Sequence, residues 1–235
     1  MSQLPAESET LIAEDLLLLL MDDEKGRLAA ASASRPLFGG ALLIELALDE
    51  AVEVEEKRGL LHTPKVHARQ PRVRERPDPL LARAWHTVAE KPRSAQDLVN
   101  RLGKGVREEL QARLVTRGIL ERRETKVLGL FPSTTWPAAD MRHERQLRQE
   151  LQGCLVTGLT PRPRTAALVA LLSSVDQAHK VVDRGPLSNS EVRKRAKAIA
   201  EGAWAAKAVR EAVAASQAAV TTAVMVATSS ATAST

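Results

Sequence analysis

The sequence predicts a mainly α-helical fold: a single globular domain with a helical-bundle core, peripheral helices and short β-hairpins. Three observations carry that expectation. Alanine and leucine supply most of the apolar residues, aromatics make up only 2% and tyrosine is absent, a composition weighted towards strong helix formers. Apolar residues recur at helical spacing, at Val106, Leu110 and Leu114 and again at Leu147, Leu151 and Leu155. With 235 residues the chain is long enough to bury one substantial core. Residues 1–9 are expected to form a flexible tail, 10–227 the domain, and 228–235 a disordered C-terminal tail.

Taken in order, Leu11, Leu16, Leu18, Leu19 and Leu20 predict a helix that is apolar on several sides and therefore buried. It stops at the turn Asp22-Asp23-Glu24-Lys25-Gly26. Ala29 to Leu37 is rich in serine and alanine, has no periodicity and reads as a loop. Gly39 and Gly40 read as the opening of a second apolar helix reaching about Leu48. Neither apolar block has the roughly 20 residues that cross a bilayer. Val52 and Val54 alternate with glutamates as a short strand. Lys57 to Arg76, with prolines at 64, 71 and just beyond at 77, reads as a loop or an edge hairpin, since proline is excluded from central strands.

Leu80 to Glu90 predicts a helix with Trp85 on its apolar side. Ser94 starts another to about Leu102, and Gly103-Lys104-Gly105 makes a turn. The stripe of Val106, Leu110 and Leu114 runs to a stop at Gly118. Ile119 to Arg123 and Lys126 to Phe131 read as two short strands joined around Glu124-Thr125, followed by a polar link between Pro132 and Pro137. Thr165 to Val182 predicts an apolar helix halted by Gly185-Pro186. Ser188 with Glu191 three residues on is a capping box, opening one long alanine-rich helix that holds Trp204 and Val209.

Several chemistries lack their residues. There is no GxxxxGK[ST] phosphate loop and no GxGxxG fingerprint. His143-Glu144 begins like a zinc-protease helix, but Leu147 stands where the second histidine belongs. His62, His67, His86, His143 and His179 are scattered, without metal spacing. Acid pairs such as Asp22-Asp23 and Glu55-Glu56 read as solvated charge. The one cysteine, Cys154, excludes an internal disulfide and reads as an inert buried thiol between Leu151 and Leu155. No catalytic residue, metal or cofactor is expected. The net charge of +5 suits an anionic lipid surface or nucleic acid, and equally an ordinary soluble protein. Residues 1–10 are polar and acidic, unlike a signal peptide, so a cytoplasmic, reducing compartment is expected.

A series of blocks carries a family resemblance. They are the leucine-rich first helix before Asp23–Gly26, GGALLIELAL from Gly39, LLHTPKVHAR from Leu60, VREELQARLVTRGIL from Val106, VLGLFPSTTWP from Val127, RTAALVALLSSVD from Arg164, and the tryptophan-bearing last helix. In that order, over roughly Leu11 to Ala215, the chain resembles the Golgi phosphoprotein 3 family, and within it a bacterial relative. The resemblance implies a mainly α-helical, non-enzymatic peripheral membrane protein. Characterised eukaryotic members bind phosphatidylinositol 4-phosphate on the cytosolic face of Golgi membranes and link coat machinery to glycosyltransferases. The client protein here is not implied.

By resemblance, the two basic residues that contact the headgroup phosphate are Lys104 and Arg107, which at i, i+3 share a helix face. The family's pocket tryptophan falls at Ala30 and another of its arginines at Gly39. Arg35 and a helix N-terminus at Gly39 and Gly40 would compensate, because such termini attract anions. Leu37 and Phe38 either wedge between headgroups or pack under the second helix. The hairpin residues Val127, Leu128, Leu130, Phe131 and Trp136 correspond to the family's self-association element, which implies a homo-oligomer. A rival reading treats Ser94 to Phe131 as a winged helix-turn-helix of a transcriptional regulator, with Arg107, Arg113, Arg117, Arg122 and Arg123 facing DNA. Glu108 and Glu109 oppose it.

Overall fold

The computed structural model describes residues 10–22, 26–55, 63–70, 78–127, 131–202 and 207–232. The leucine block forms α1 (Ile12–Leu20), and every residue of it is buried. Its first turn is satisfied internally: the Glu14 carboxylate accepts from Leu11 N at 2.8 Å, and the Glu45 carboxylate from Ile12 N at 2.6 Å. A 3₁₀ turn at Ala31–Ala33 leads into α2 (Ser34–Leu48). This helix starts five residues ahead of Gly39, contrary to the sequence reading. Pro36 lies in its first turn, where a missing N–H costs nothing, so the serine- and proline-containing stretch is helix and not loop.

β1 (Val52–Val54), β2 (Lys65–Ala68) and β3 (Arg93–Ser94) form an antiparallel sheet in the order β1-β2-β3, with Val54 opposite Val66 and Val66 opposite Arg93. The segment expected as loop or edge hairpin thus supplies the central strand. Pro64 does not obstruct it, because the ladder starts at Lys65; Pro71 and Pro77 lie outside the described residues. α3 (Pro79–Ala89) is capped by Asp78, which accepts from Leu80 N and Leu81 N. α4 (Ala95–Leu102) is capped by Ser94, which accepts from Asp97 N at 3.3 Å. After Gly103-Lys104-Gly105 comes α5 (Val106–Thr116).

Among the described residues, β4 (Arg123–Val127) and β5 (Phe131–Thr135) form a two-stranded sheet, Val127 opposite Phe131. Glu124 and Thr125, read as the turn, are mid-strand, opposite Thr134 and Ser133. Pro132 is in β5 and not in a link. A two-stranded ribbon has only edge strands, where charge and proline are tolerated.

α6 (Arg142–Gln152) runs into a π-helical turn, Gly153–Thr157. Arg195 donates to the carbonyls of Leu155 and Val156 there, occupying acceptors that the helix end leaves open. α7 (Pro163–Ser174) is shorter than the sequence suggested, because Val175 leaves the helix and Asp176 takes a φ of 54°. The last helix is two: α8 (Asn189–Glu201), opened by the expected Ser188–Glu191 capping box, and α9 (Lys207–Thr232). The break follows Gly202, whose extended ψ of 164° ends α8; Trp204 lies outside the described residues. α9 continues to Thr232, through most of the stretch expected as a tail.

α2 is the hub of the bundle. α1, α3, α4, α5, α7 and α9 all pack on it, and Leu37, Phe38, Ala41, Leu43 and Ile44 are fully buried. Each such leucine contributes on the order of 1.5–3 kcal/mol by leaving water. Cys154 is buried, and burial first, then the charge of Glu150, push its thiol above its ordinary range. Among the described residues no helix is long and apolar enough to cross a membrane.

Candidate functional site

α2 and α4 cross closer than side chains allow. A Cβ on Gly39 would stand 1.9 Å from the Val99 carbonyl oxygen, and one on Gly103 would stand 1.7 Å from the Arg35 carbonyl oxygen. The two glycines let the first turn of α2 lie directly on the turn between α4 and α5. Arg35 is thereby fixed over the end of α4, its Nε donating to the Asn100 carbonyl at 2.7 Å. Lys104 stands in the adjoining turn, exposed, and Arg107 half-buried on the first turn of α5.

Among the described residues, none of these three cations, Arg35, Lys104 and Arg107, has a carboxylate partner within ion-pairing distance, although Arg35 is engaged through its Nε. Their neighbours differ: Arg101 pairs with Asp97 at 2.8 Å, Arg113 with Glu14 at 2.9 Å, and Arg117 with Glu14 at 3.0 Å. Gly105, at φ 73°, precedes α5 without any side-chain cap, and the Val106 amide is taken by the Gly103 carbonyl at 3.4 Å, so only the amides that follow it in the first turn could meet an anion. Glu108 and Glu109 share this first turn and work against it, although Glu109 is held by Arg83.

Other residues singled out from the sequence fall elsewhere. Gly39 and Gly40 lie in the second turn of α2, and they serve close packing, not anion binding. Gly40 abuts Ser216 of α9, a Cβ there falling 3.2 Å from the Ser216 Cβ. Leu37 and Phe38 are residues of α2 itself and 0% exposed, so they face the core and do not stand out to wedge between headgroups; α2 starts early enough to turn both inward. Ala30, at φ 54°, introduces the 3₁₀ turn. Val127 and Phe131 are the ends of β4 and β5, while Leu128 and Leu130 lie outside the described residues. Trp136 is partly buried against the core, with the Arg122 guanidinium 5.9 Å from its ring and its carbonyl against Gly26.

The arginines that a DNA-binding reading needs are occupied. Arg113 and Arg117 face inward to Glu14, Arg122 pairs with Glu124 at 3.0 Å, and Arg123 with Glu121 at 2.7 Å. Only Arg107 of that set is without a carboxylate.

Sequence reasoning missed the largest ionic cluster. Glu14 and Asp15 are 0% exposed and Glu45 5%. Glu14 binds Arg113 and Arg117 of the α5 region. Asp15 binds His143 at 2.7 Å and Arg164 at 2.8 Å, and Arg164 reaches Glu45 at 3.0 Å. Burial raises the Asp15 carboxyl, but the hydrogen bond from His143, the charge of Arg164 and the Thr10 hydroxyl outweigh it and leave the group below its ordinary value. The cluster fastens α1 to α5, α6 and α7. Its signal was present: two acids heading an all-leucine helix must be paired if that helix is buried.

Among the described residues, no group of three or more histidine, cysteine or acidic side chains is placed to hold a metal. A groove of about 390 Å³ opens between the end of α7, α8 and α9, lined by Ser173, Asp176, Arg193, Lys197, Gln217 and Thr221. It contains none of the expected site residues.

No curated protein matches the chain. The family model described as Golgi phosphoprotein 3 (GPP34) matches residues 12–216, a span that includes α1, the α2–α4 crossing and the Lys104–Arg107 turn. This chain belongs to the Golgi phosphoprotein 3 family.

Proposed function

We propose that this chain is a peripheral, non-enzymatic adaptor-like protein that takes an anionic lipid headgroup between Arg35, Lys104 and Arg107, on the cytoplasmic face of a membrane. The observation that carries the reading is three cations without a carboxylate partner among the described residues, on segments brought together by the close approach of Gly39 and Gly103. Lys104 serves as a point charge, and the arginines offer the planar fork that grips two phosphate oxygens. Family membership favours a phosphoinositide, with phosphatidylinositol 4-phosphate as the reference headgroup. Ala30 and Gly39 withhold two side chains that the family resemblance supplies, so binding is weaker here and rests more on general charge.

The β4–β5 ribbon is the candidate surface for self-association, because among the described residues neither outer strand edge is paired in a sheet. The test of the lipid reading is co-sedimentation of the full chain with vesicles. Zwitterionic vesicles should leave it in solution, and vesicles with added phosphatidylserine or phosphatidylinositol 4-phosphate should carry it down, less so as salt rises. Equal sedimentation with neutral and anionic vesicles contradicts the proposal. So does tight binding to duplex DNA with none to lipid.

A further inference from the structure

We infer that the far end of α9 is a membrane-contacting element, a charge-free helix end laid against the lipid surface beside the proposed headgroup site; the inference rests on the lipid reading above. Contacts between the helices fix its place. Arg164, at the start of α7, reaches Glu45, near the end of α2, at 3.0 Å. A Cβ on Gly40 would stand 3.5 Å from Leu171 of α7 and 3.2 Å from Ser216 of α9, so α7 runs antiparallel to α2. Gln217 of α9 donates to the Ala170 carbonyl at 2.8 Å, and Thr221 lines one groove with Ser173. α9 therefore runs with α7 and against α2. It packs on β1, which follows α2, and on the 3₁₀ turn Ala31–Ala33, which precedes it, so its later turns are the ones at that 3₁₀ turn. With Ser216 level with Gly40, Thr222 comes level with Ser34, and Thr232 lies about 15 Å farther on. This is the end of the molecule that holds Arg35 and, through the Gly39–Gly103 contact, the Lys104 turn.

The chemistry of that stretch suits a bilayer. No residue from Ala212 to Thr235 is charged. Among the described side chains of α9, Val220 is the last that is buried; Thr222 is exposed and Met225 is 63% exposed. Alanine favours a helix, but valine, serine and threonine do not, and a few helical turns are marginal alone in water. A lipid surface supplies support. A helix end without charge enters the boundary between headgroups and acyl chains without stripping water from an ion, and a flexible methionine adapts to that irregular layer. The two contacts complement each other, since the cations hold a headgroup while α9 adds an apolar anchor, and firm membrane attachment takes two signals. The family match stops at residue 216, so this second contact lies beyond the matched span.

The experiment uses full chains: wild type, Met225→Ser and Met225→Leu, on phosphatidylcholine vesicles containing phosphatidylserine, at low and high sodium chloride. Met225→Ser should bind about fivefold more weakly, the loss of part of one apolar side chain's burial. Its melting temperature should be unchanged, because the position is exposed. Met225→Leu should bind like wild type. The ratio of wild type to Met225→Ser should be the same at both salt concentrations, since salt screens charge and not apolar contact. Met225→Trp, on vesicles with brominated acyl chains, should show quenching beyond that of wild type. Equal binding by Met225→Ser and wild type or no added quenching overturns the role of α9 and leaves the lipid reading standing. A lower melting temperature or a changed oligomeric state in Met225→Ser does the same, marking a contact with protein. A wild-type chain that stays in solution with every anionic vesicle overturns both.

Discussion

Gly39 and Gly103 meet across the α2–α4 crossing with no space for a side chain on either: a Cβ on Gly103 would come within 3.1 Å of the Gly39 nitrogen as well as 1.7 Å of the Arg35 carbonyl. This contact sets the distance between the first turn of α2 and the turn between α4 and α5 that carries Lys104. Packing and the proposed binding site therefore depend on the same two residues.

Gly39→Ala should destabilise the fold by about 2–3 kcal/mol, since the obstacle is the backbone carbonyl of Val99 and not a movable side chain. Gly105→Ala supplies the contrast. Nothing lies within 4 Å of a Cβ there, so only its φ of 73° matters, and the cost should be about 1 kcal/mol. Urea midpoints of the two variants check the ranking.

Glu14→Ala should cost about 3 kcal/mol. Removing one partner leaves buried charge uncompensated, here on Arg113 and Arg117. The figure is at the low end for a buried pair because Arg113 retains Asp78 and both arginine side chains are about a quarter exposed. Denaturation at neutral pH measures it.

Acid should weaken the fold through Asp15. Its carboxyl is held below the ordinary value of 3.8, so the stability it contributes is fully present above that value. It is lost as pH falls through the lower, folded-state value. Asp78 acts in the same direction: burial raises it, but the hydrogen bond from Arg113 outweighs that. Unfolding followed by circular dichroism should show little change from these groups above about pH 5 and a decline below about pH 4. Asp15→Asn should be less stable than wild type at neutral pH and should lose less on acidification.

The parts of this fold that sequence reveals are local. Ser94 and Ser188 cap helices through atoms three residues away, and the leucines of α1 announce a buried helix by themselves. What it conceals is set at long range. Gly39 looks like a helix start until Val99 and Gly103 are seen against it. The partners of Glu14 and Asp15 cannot be picked out because Arg113 is 99 residues distant and Arg164 is 149. β2 looks like a loop because its proline flanks the ladder without entering it. For the candidate site, Lys104 and Arg107 were singled out through the family resemblance, and the helix face expected of their i, i+3 spacing is not formed, because α5 starts only at Val106, after the left-handed Gly105. The packing of Leu37 and Phe38 and the extent of α2 required the tertiary structure.

The most direct measurement is vesicle co-sedimentation of Lys104→Ala/Arg107→Ala beside wild type, on lipid with and without phosphatidylinositol 4-phosphate. Lys104 is exposed in the turn before α5 and Arg107 half-buried on its first turn, so thermal stability should stay within about 0.5 kcal/mol of wild type. Binding to anionic vesicles should fall at least tenfold, since two charge-assisted contacts are removed. A double variant that folds normally and still sediments like wild type would show that the headgroup, if one is bound, is held elsewhere.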